Sequence, residues 1–94
     1  MKNQLLNSKE LSNLKNDLNQ WKVSGTNLIR DFHFKNFIEA FAFITKIAII
    51  AESMGHHPDW SNSYSSVKIK LTSHDLGGIS KYDIELAHKI NDIE

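Results

Sequence analysis

The chain has 94 residues, 40% of them hydrophobic, which is suited to one domain with a single modest core. Its 11 basic and 11 acidic residues give a formal net charge of zero and form no long run of one sign, so the sequence indicates no polyanion-binding surface and no nucleic-acid partner. The absence of cysteine excludes disulfides, thiolate catalysis and cysteine-based zinc sites. With no signal-peptide pattern and no apolar run of membrane length, we expect a single cytoplasmic domain over residues 1–94, without a membrane partner.

The N-terminal part of the chain predicts a helix and two short strands. Residues 1–7 are polar and are expected to be loose, and Ser8 can cap a helix over residues 9–19. The leucines of this helix fall at spacings of three and four, which indicates one apolar face. They are Leu11, Leu14 and Leu18. Residues 21–23 and 28–34 then alternate in polarity and predict two strands joined by a turn.

The longest predicted element is a helix over residues 36–54. Asn36 can cap its start, and Gly55 can end it because glycine adopts the left-handed conformation at little cost. Thirteen of its 19 residues are apolar, so its apolar surface is wider than one core contact needs. We therefore expect one side to pack on the sheet and another on a second subunit. Glu39, Lys46 and Ser53 form a polar stripe along this helix. Glu52 lies outside that stripe, either at the helix edge or directed into a pocket.

Beyond Pro58, polarity alternates with a period of two. Residues 60–65 and 66–72 predict two strands, with a hairpin turn near residues 65–66. A loop follows over residues 73–78, because its glycines and polar residues interrupt the alternation.

The last predicted helix begins after Ser80, with Asp83 at the third position of a capping box. The order of elements is therefore helix, strand, strand, helix, strand, strand, helix. Short strands in adjacent pairs favour a four-stranded antiparallel sheet. Three helices on one face of that sheet would complete a two-layer α+β domain.

Side chains that can act as acids or bases lie just after the long helix, where His56 and His57 follow Gly55. The C-terminal end of a helix carries partial negative charge that favours a protonated imidazole, and Pro58 restricts the backbone of His57. His74 stands at the end of the clearest predicted strand. Because histidine changes protonation state near neutral pH, these residues can hold, donate and accept protons.

The residues alone leave several interpretations open. The three histidines could bind zinc, although adjacent residues in an extended segment point to opposite sides, or they could simply cap a helix and pack. Asp83 could be no more than a capping carboxylate. Trp60 and Tyr64 could be core residues or a flat wall for a planar ring. The sequence pattern therefore predicts an acid–base site or a polar pocket for a small molecule.

One spaced pattern joins these residues: Glu52, then His56-His57-Pro58, then Tyr64, His74 and Asp83. Together with Phe32-His33-Phe34-Lys35-Asn36-Phe37 and His57-Pro58-Asp59-Trp60, it resembles the pterin-4a-carbinolamine dehydratase family. The likeness runs from about Trp21 to the C-terminus.

This resemblance implies an activity in tetrahydrobiopterin recycling. Members of the family remove the C4a hydroxyl of 4a-hydroxytetrahydropterin as water and give quinonoid dihydropterin, after an aromatic amino acid hydroxylase has used the pterin. The implied catalytic residues are His56, His57 and His74. Glu52, with Trp60 and Tyr64, would bind the pterin, and Asp83 would support the site. No metal and no bound cofactor is implied, because the pterin is the substrate.

The resemblance also implies partners. Family members form homodimers through the sheet edge and homotetramers through the long helix, here residues 36–54, and they are linked in function to the hydroxylase. Two alternatives stand beside the enzyme: a non-enzymatic dimerisation cofactor of a transcription factor, and a pterin-binding protein of another, molybdopterin-linked pathway.

Overall fold

The computed structural model describes residues 2–94 and confirms the α+β class. Its elements are α1 (Ser8–Asp17), β1 (Lys22–Ser24), β2 (Asn27–His33), α2 (Phe37–Met54), β3 (Asp59–Ser63), β4 (Ser66–Leu71) and α3 (Lys81–Ile93). The four strands form one antiparallel sheet in the order β1-β2-β4-β3. Within the described part of the chain, no helix combines the length and the apolarity that crossing a membrane requires.

Helix α1 is capped by Asn7 rather than by Ser8. The Asn7 side chain accepts a hydrogen bond from the main-chain N–H of Glu10 (2.8 Å), and the Glu10 carboxylate accepts one from the N–H of Asn7 (3.0 Å). This reciprocal pair satisfies N–H groups that the helix itself leaves without acceptors. The leucine face is buried as predicted, through Leu14 and Leu18.

The segment before α1 runs beside the segment before α3. Two main-chain hydrogen bonds join them, from Leu6 N–H to Ile79 O (3.0 Å) and from Lys81 N–H to Gln4 O (2.8 Å). The polar composition of residues 1–7 gave no sign of this pairing; Met1 lies outside the described residues.

The helices cover one face of the sheet, and the other face is open. The inner side chains of the central strand β4 are Val67, Ile69 and Leu71, all buried in one core with residues from each of the three helices. Lys68 and Lys70 alternate with them and are exposed. The period-2 pattern of this strand therefore predicts its orientation correctly.

The hairpin between β3 and β4 turns at Tyr64 and Ser65, one residue earlier than predicted. Tyr64 therefore leaves the strand in which the alternation placed it, and its φ of 54° is left-handed. Register explains the shift: when the apolar residues of β4 face the core, Ser63 pairs with Ser66, and only two residues remain to make the turn.

Helix α2 is capped as predicted at both ends. The Asn36 side chain accepts a hydrogen bond from the N–H of Glu39 (2.9 Å), and Gly55 has a φ of 65°. One side of the helix is buried in the core. Its exposed large apolar side chains are Phe37, Ile38, Phe41 and Ile49.

Candidate functional site

The C-terminus of α2 fixes the direction of the histidine pair. The left-handed Gly55 turns the chain, and its N–H donates to the carbonyl of Glu52 (3.2 Å). The N–H of His56 donates to the carbonyl of Ala51 (3.1 Å). These two bonds satisfy carbonyl groups at the helix end and hold the backbone at His56 in place.

His56 contacts Asp83, which lies in the first turn of α3. Its Nε2 lies 2.5 Å from Asp83 Oδ1; the Asp83 side chain is 0% exposed and the His56 side chain 13%. Asp83 is the carboxylate that the sequence placed in a capping box, and its Oδ2 does accept the N–H of Ser80 (2.8 Å). One carboxylate therefore serves the helix with one oxygen and the histidine with the other.

This contact determines which ring nitrogen of His56 is available for chemistry. An ionised carboxylate only accepts hydrogen bonds, so the Nε2 of His56 carries the proton that faces Asp83. In the neutral imidazole, Nδ1 is then the nitrogen that can accept a proton. The rings of Tyr82 and His56 pack in a T-shaped arrangement, with ring centroids 5.8 Å apart.

His57 contacts the other acidic residue of the motif. Its Nε2 lies 2.8 Å from Glu52 Oε1, and both side chains are exposed. Glu52 therefore stands at the helix edge, the first of its two predicted positions. Because both side chains are exposed, solvent screens the attraction between their charges, so the pair contributes little to the stability of the fold. Its contribution is to orient the imidazole of His57.

His74 lies in the loop between β4 and α3, opposite a carboxylate that sequence reasoning did not select. Its Nε2 is 3.6 Å from Oδ2 of Asp59, the first residue of β3, and both groups are exposed. Each motif histidine thus has its own carboxylate partner. The only sequence feature that could have indicated a role for Asp59 is its place in the His57-Pro58-Asp59-Trp60 segment.

Trp60 and Tyr64 lie at different ends of β3. Trp60 pairs with Ile69, a core residue, so it lies on the helix side of the sheet, where it is 41% exposed. Tyr64 is 69% exposed in the hairpin turn. At about 3.3 Å per strand residue, the turn lies roughly 16 Å from Asp59. Within one chain, the structure places Trp60 toward the His56–Asp83 end and Tyr64 away from it.

Two buried hydroxyl groups lie next to Asp83, and the sequence predicted only one of them. Ser73 and Ser80 each place Oγ next to Asp83 Oδ2, at 3.0 and 3.1 Å. Ser80 was predicted as the cap of the last helix, but a serine in a loop gives no pattern of its own, and only the fold reveals the contact of Ser73. Within residues 2–94, no three His, Asp or Glu side chains form a group that could hold a metal ion.

The similarity to known proteins extends over almost the whole chain. The model of the family described as "Pterin 4 alpha carbinolamine dehydratase" matches residues 4–93. A Prochlorococcus marinus protein provisionally named as a pterin-4-alpha-carbinolamine dehydratase is 50% identical over 94 residues, which are 100% of this chain and 98% of the relative.

Two solved structures share the fold. The crystal structure of a transcriptional coactivator/pterin dehydratase from Brucella melitensis superposes with a TM-score of 0.90 at 36% identity, covering 96% of this chain and 98% of the other. A pterin dehydratase-like protein described as a RuBisCO assembly factor superposes with a TM-score of 0.63 at 22% identity, over 77% and 83% of the two chains, and at that identity it shows the fold alone. With the family match over residues 4–93, the chain belongs to the pterin 4 alpha carbinolamine dehydratase family.

Proposed function

We propose that this protein dehydrates a 4a-hydroxytetrahydropterin to quinonoid dihydropterin and water by histidine acid–base catalysis, in tetrahydrobiopterin recycling. The observation that carries the proposal is the His56–Asp83 pair, a mostly buried imidazole held at 2.5 Å by a fully buried carboxylate. That arrangement fixes one ring nitrogen and leaves the other for proton transfer.

The reaction needs two proton movements and no change of oxidation state. The C4a–O bond breaks as an acid protonates the departing hydroxyl, and a base removes the proton from the neighbouring ring nitrogen as the new double bond forms. Three histidines, each beside a carboxylate, supply groups of the right kind for both movements. We assign the catalysis to His56, His57 and His74. No cofactor and no metal take part, and the pterin is the substrate.

Pterin binding is assigned to Glu52, Trp60 and Tyr64. Glu52 orients His57 and can accept hydrogen bonds from the pterin, and Trp60 offers a partly exposed indole on the helix side of β3. The exposed ring of Tyr64 is also assigned to pterin binding. Asp83 supports the site by holding His56.

The proposed assembly is a homodimer or homotetramer that uses the sheet edge and α2. The edge strand β3 is exposed along its length, and α2 exposes Ile38 and Ile49 on one side. Exposed apolar side chains on a helix and an unpaired strand edge are surfaces that a second subunit can cover. An aromatic amino acid hydroxylase would supply the substrate.

Kinetics on single histidine variants test this assignment. A hydroxylase reaction generates 4a-hydroxytetrahydropterin, and its loss is followed with added wild-type protein or with His56→Ala, His57→Ala or His74→Ala. His88→Ala, at an exposed position of α3, is the matched control. We expect each motif variant to lower kcat by roughly 100-fold or more and the control to match wild type. Equal activity in all four variants would contradict the assigned site.

A further inference from the structure

We propose that Ser73 is a positioning residue for the site. Its hydroxyl group holds Asp83, which contacts His56, and its main chain holds the loop that carries His74. The inference rests on the proposed function, because it concerns how His56 and His74 are held. It adds a residue outside the histidine motif.

The Ser73 hydroxyl lies inside a buried network. Ser73 is 1% exposed, and its Oγ is 3.0 Å from Asp83 Oδ2 and 2.5 Å from Ser80 Oγ. The side-chain amide of Asn3 also donates to Ser73 Oγ, at 3.4 Å. Since Ser73 Oγ can accept from Asn3 or Ser80, its own proton is available to Asp83.

The donors around Asp83 explain why one hydroxyl matters. Oδ1 accepts from His56, while Oδ2 receives the N–H of Ser80 (2.8 Å) and faces the two hydroxyl groups. Of the two hydroxyl protons, one fills the Ser73–Ser80 contact and the other reaches Oδ2. Without the Ser73 hydroxyl, the Ser80 proton serves Oδ2, so the carboxylate keeps its number of donors but loses the contact that holds it from the loop. A buried carboxylate whose Oδ2 is held by Ser80 alone can rotate about its Cβ–Cγ bond, and rotation moves Oδ1 away from His56.

The main chain of Ser73 closes the loop that carries the next residue, His74. Its N–H donates to the carbonyl of Gly78 (2.8 Å), and its carbonyl accepts from the N–H groups of Leu76 (3.0 Å) and Gly77 (2.8 Å). The hydroxyl bond to Asp83 then ties this closed loop to the first turn of α3. Ser73 therefore connects the part of the structure that holds His56 with the part that holds His74.

Substitution of Ser80 would not isolate the effect of the hydroxyl network. Ser80 is the N-cap of α3, and its main-chain N–H donates a hydrogen bond to Asp83, so substitutions there disturb the start of the helix as well as the network. Thr72 is the matched control for Ser73. It is the preceding residue, it is also buried, and its hydroxyl lies 3.5 Å from the carbonyl of Gly78 without contacting Asp83.

The test compares Ser73→Ala, Ser73→Thr and Thr72→Val with wild type, using two readouts. Two-bond ¹H–¹⁵N spectra report which ring nitrogen of His56 carries the proton, and steady-state kinetics with 4a-hydroxytetrahydropterin separate kcat from KM. We expect Ser73→Ala to lose the pure Nε2–H signature and to lower kcat about tenfold with little change in KM, the low end of what removing an outer partner of a functional histidine costs at metal sites. Ser73→Thr keeps the hydroxyl and should restore both readouts, and Thr72→Val should match wild type in both.

Several results would overturn the proposal. One is a Ser73→Ala protein that is less stable but keeps the wild-type His56 spectrum and kcat. Another is an equal effect of Thr72→Val, which would make the loss a general effect of disturbing the loop. If Ser73→Ala proves too unstable to purify, Ser73→Cys replaces the strong donor by a weak one at similar size and is held to the same expectations. If wild type shows no dehydration, the spectra still decide the Ser73–Asp83–His56 link, so failure of the proposed function is distinguishable from failure of this inference.

Discussion

His56 and Asp83 lie 27 positions apart in sequence, yet their side chains meet at 2.5 Å, where the end of α2 faces the start of α3. Two helix termini therefore build the pair: Gly55 turns the chain after α2, and Asp83 sits in the first turn of α3. The same features that end one helix and begin another place an imidazole against a buried carboxylate.

The first prediction concerns the charge of Asp83. Asp83→Asn keeps the shape of the side chain but offers an NH₂ group to a site built from donors, so one donor loses its acceptor. We expect kcat to fall by roughly 100-fold or more. The free energy of unfolding should fall by about 1–3 kcal/mol. Asp92→Asn, at an exposed carboxylate of the same helix, should change neither quantity. Unchanged kcat in Asp83→Asn would show that Asp83 is only a helix cap.

The second prediction concerns Gly55. Its φ of 65° lies in the left-handed region, and a Cβ built at this position meets no atom within 4 Å, so the cost of Gly55→Ala is conformational rather than steric. We expect the free energy of unfolding to fall by about 1–2 kcal/mol in urea titrations. Gly55→Asn should lose less, because asparagine tolerates this conformation better. Equal losses for the two variants would indicate that α2 ends in another way.

The third prediction concerns the exposed side of α2. Ile38 and Ile49 are 11 positions apart, about three turns, so they lie on one side of the helix within about 20°. If a subunit covers this side, Ile38→Glu/Ile49→Glu should reduce the molar mass measured by light scattering, because it would bury two charges. Lys89→Glu introduces the same charge at an exposed position of α3, outside the proposed interface, and should leave the mass unchanged. The proposed role of α2 in assembly fails if the double variant keeps the wild-type mass and the wild type is an oligomer.

The fourth prediction separates the two aromatic residues of the motif. Trp60→Ala should raise KM roughly tenfold with kcat largely kept, since stacking on a planar ring contributes binding that is shared by the ground and transition states. Tyr64→Ala should have the smaller effect, because the turn lies at the far end of β3. A larger effect of Tyr64→Ala would mean that another subunit brings the tyrosine to the site.

The sequence predicts the order and faces of the elements because each depends on local patterns. The alternation in β4 and the glycine after α2 are readable from neighbouring residues alone. The Asn7 cap was readable too, since Glu10 stands three residues later, but Ser8 is an equally good cap residue by type. The turn at Tyr64 depended on register, which the partner strand sets.

The candidate site was predicted from a spacing that matches a family pattern. The carboxylate partner of His74 was not, because Asp59 is separated from it by a whole hairpin and meets it only in the folded chain. The contact of Ser73 with Asp83 is hidden for the same reason, as it joins a loop to a helix. Side-chain partners across elements depend on tertiary packing, which local periodicity does not encode.

The most direct test of the central claim is the rate at which 4a-hydroxytetrahydropterin decays, measured alone, with the wild-type protein and with the His56→Ala/His57→Ala double variant. The account predicts clear acceleration by wild type and its loss in a double variant whose circular dichroism shows an intact fold. Decay that wild type does not accelerate, or that the folded double variant accelerates equally, would contradict it.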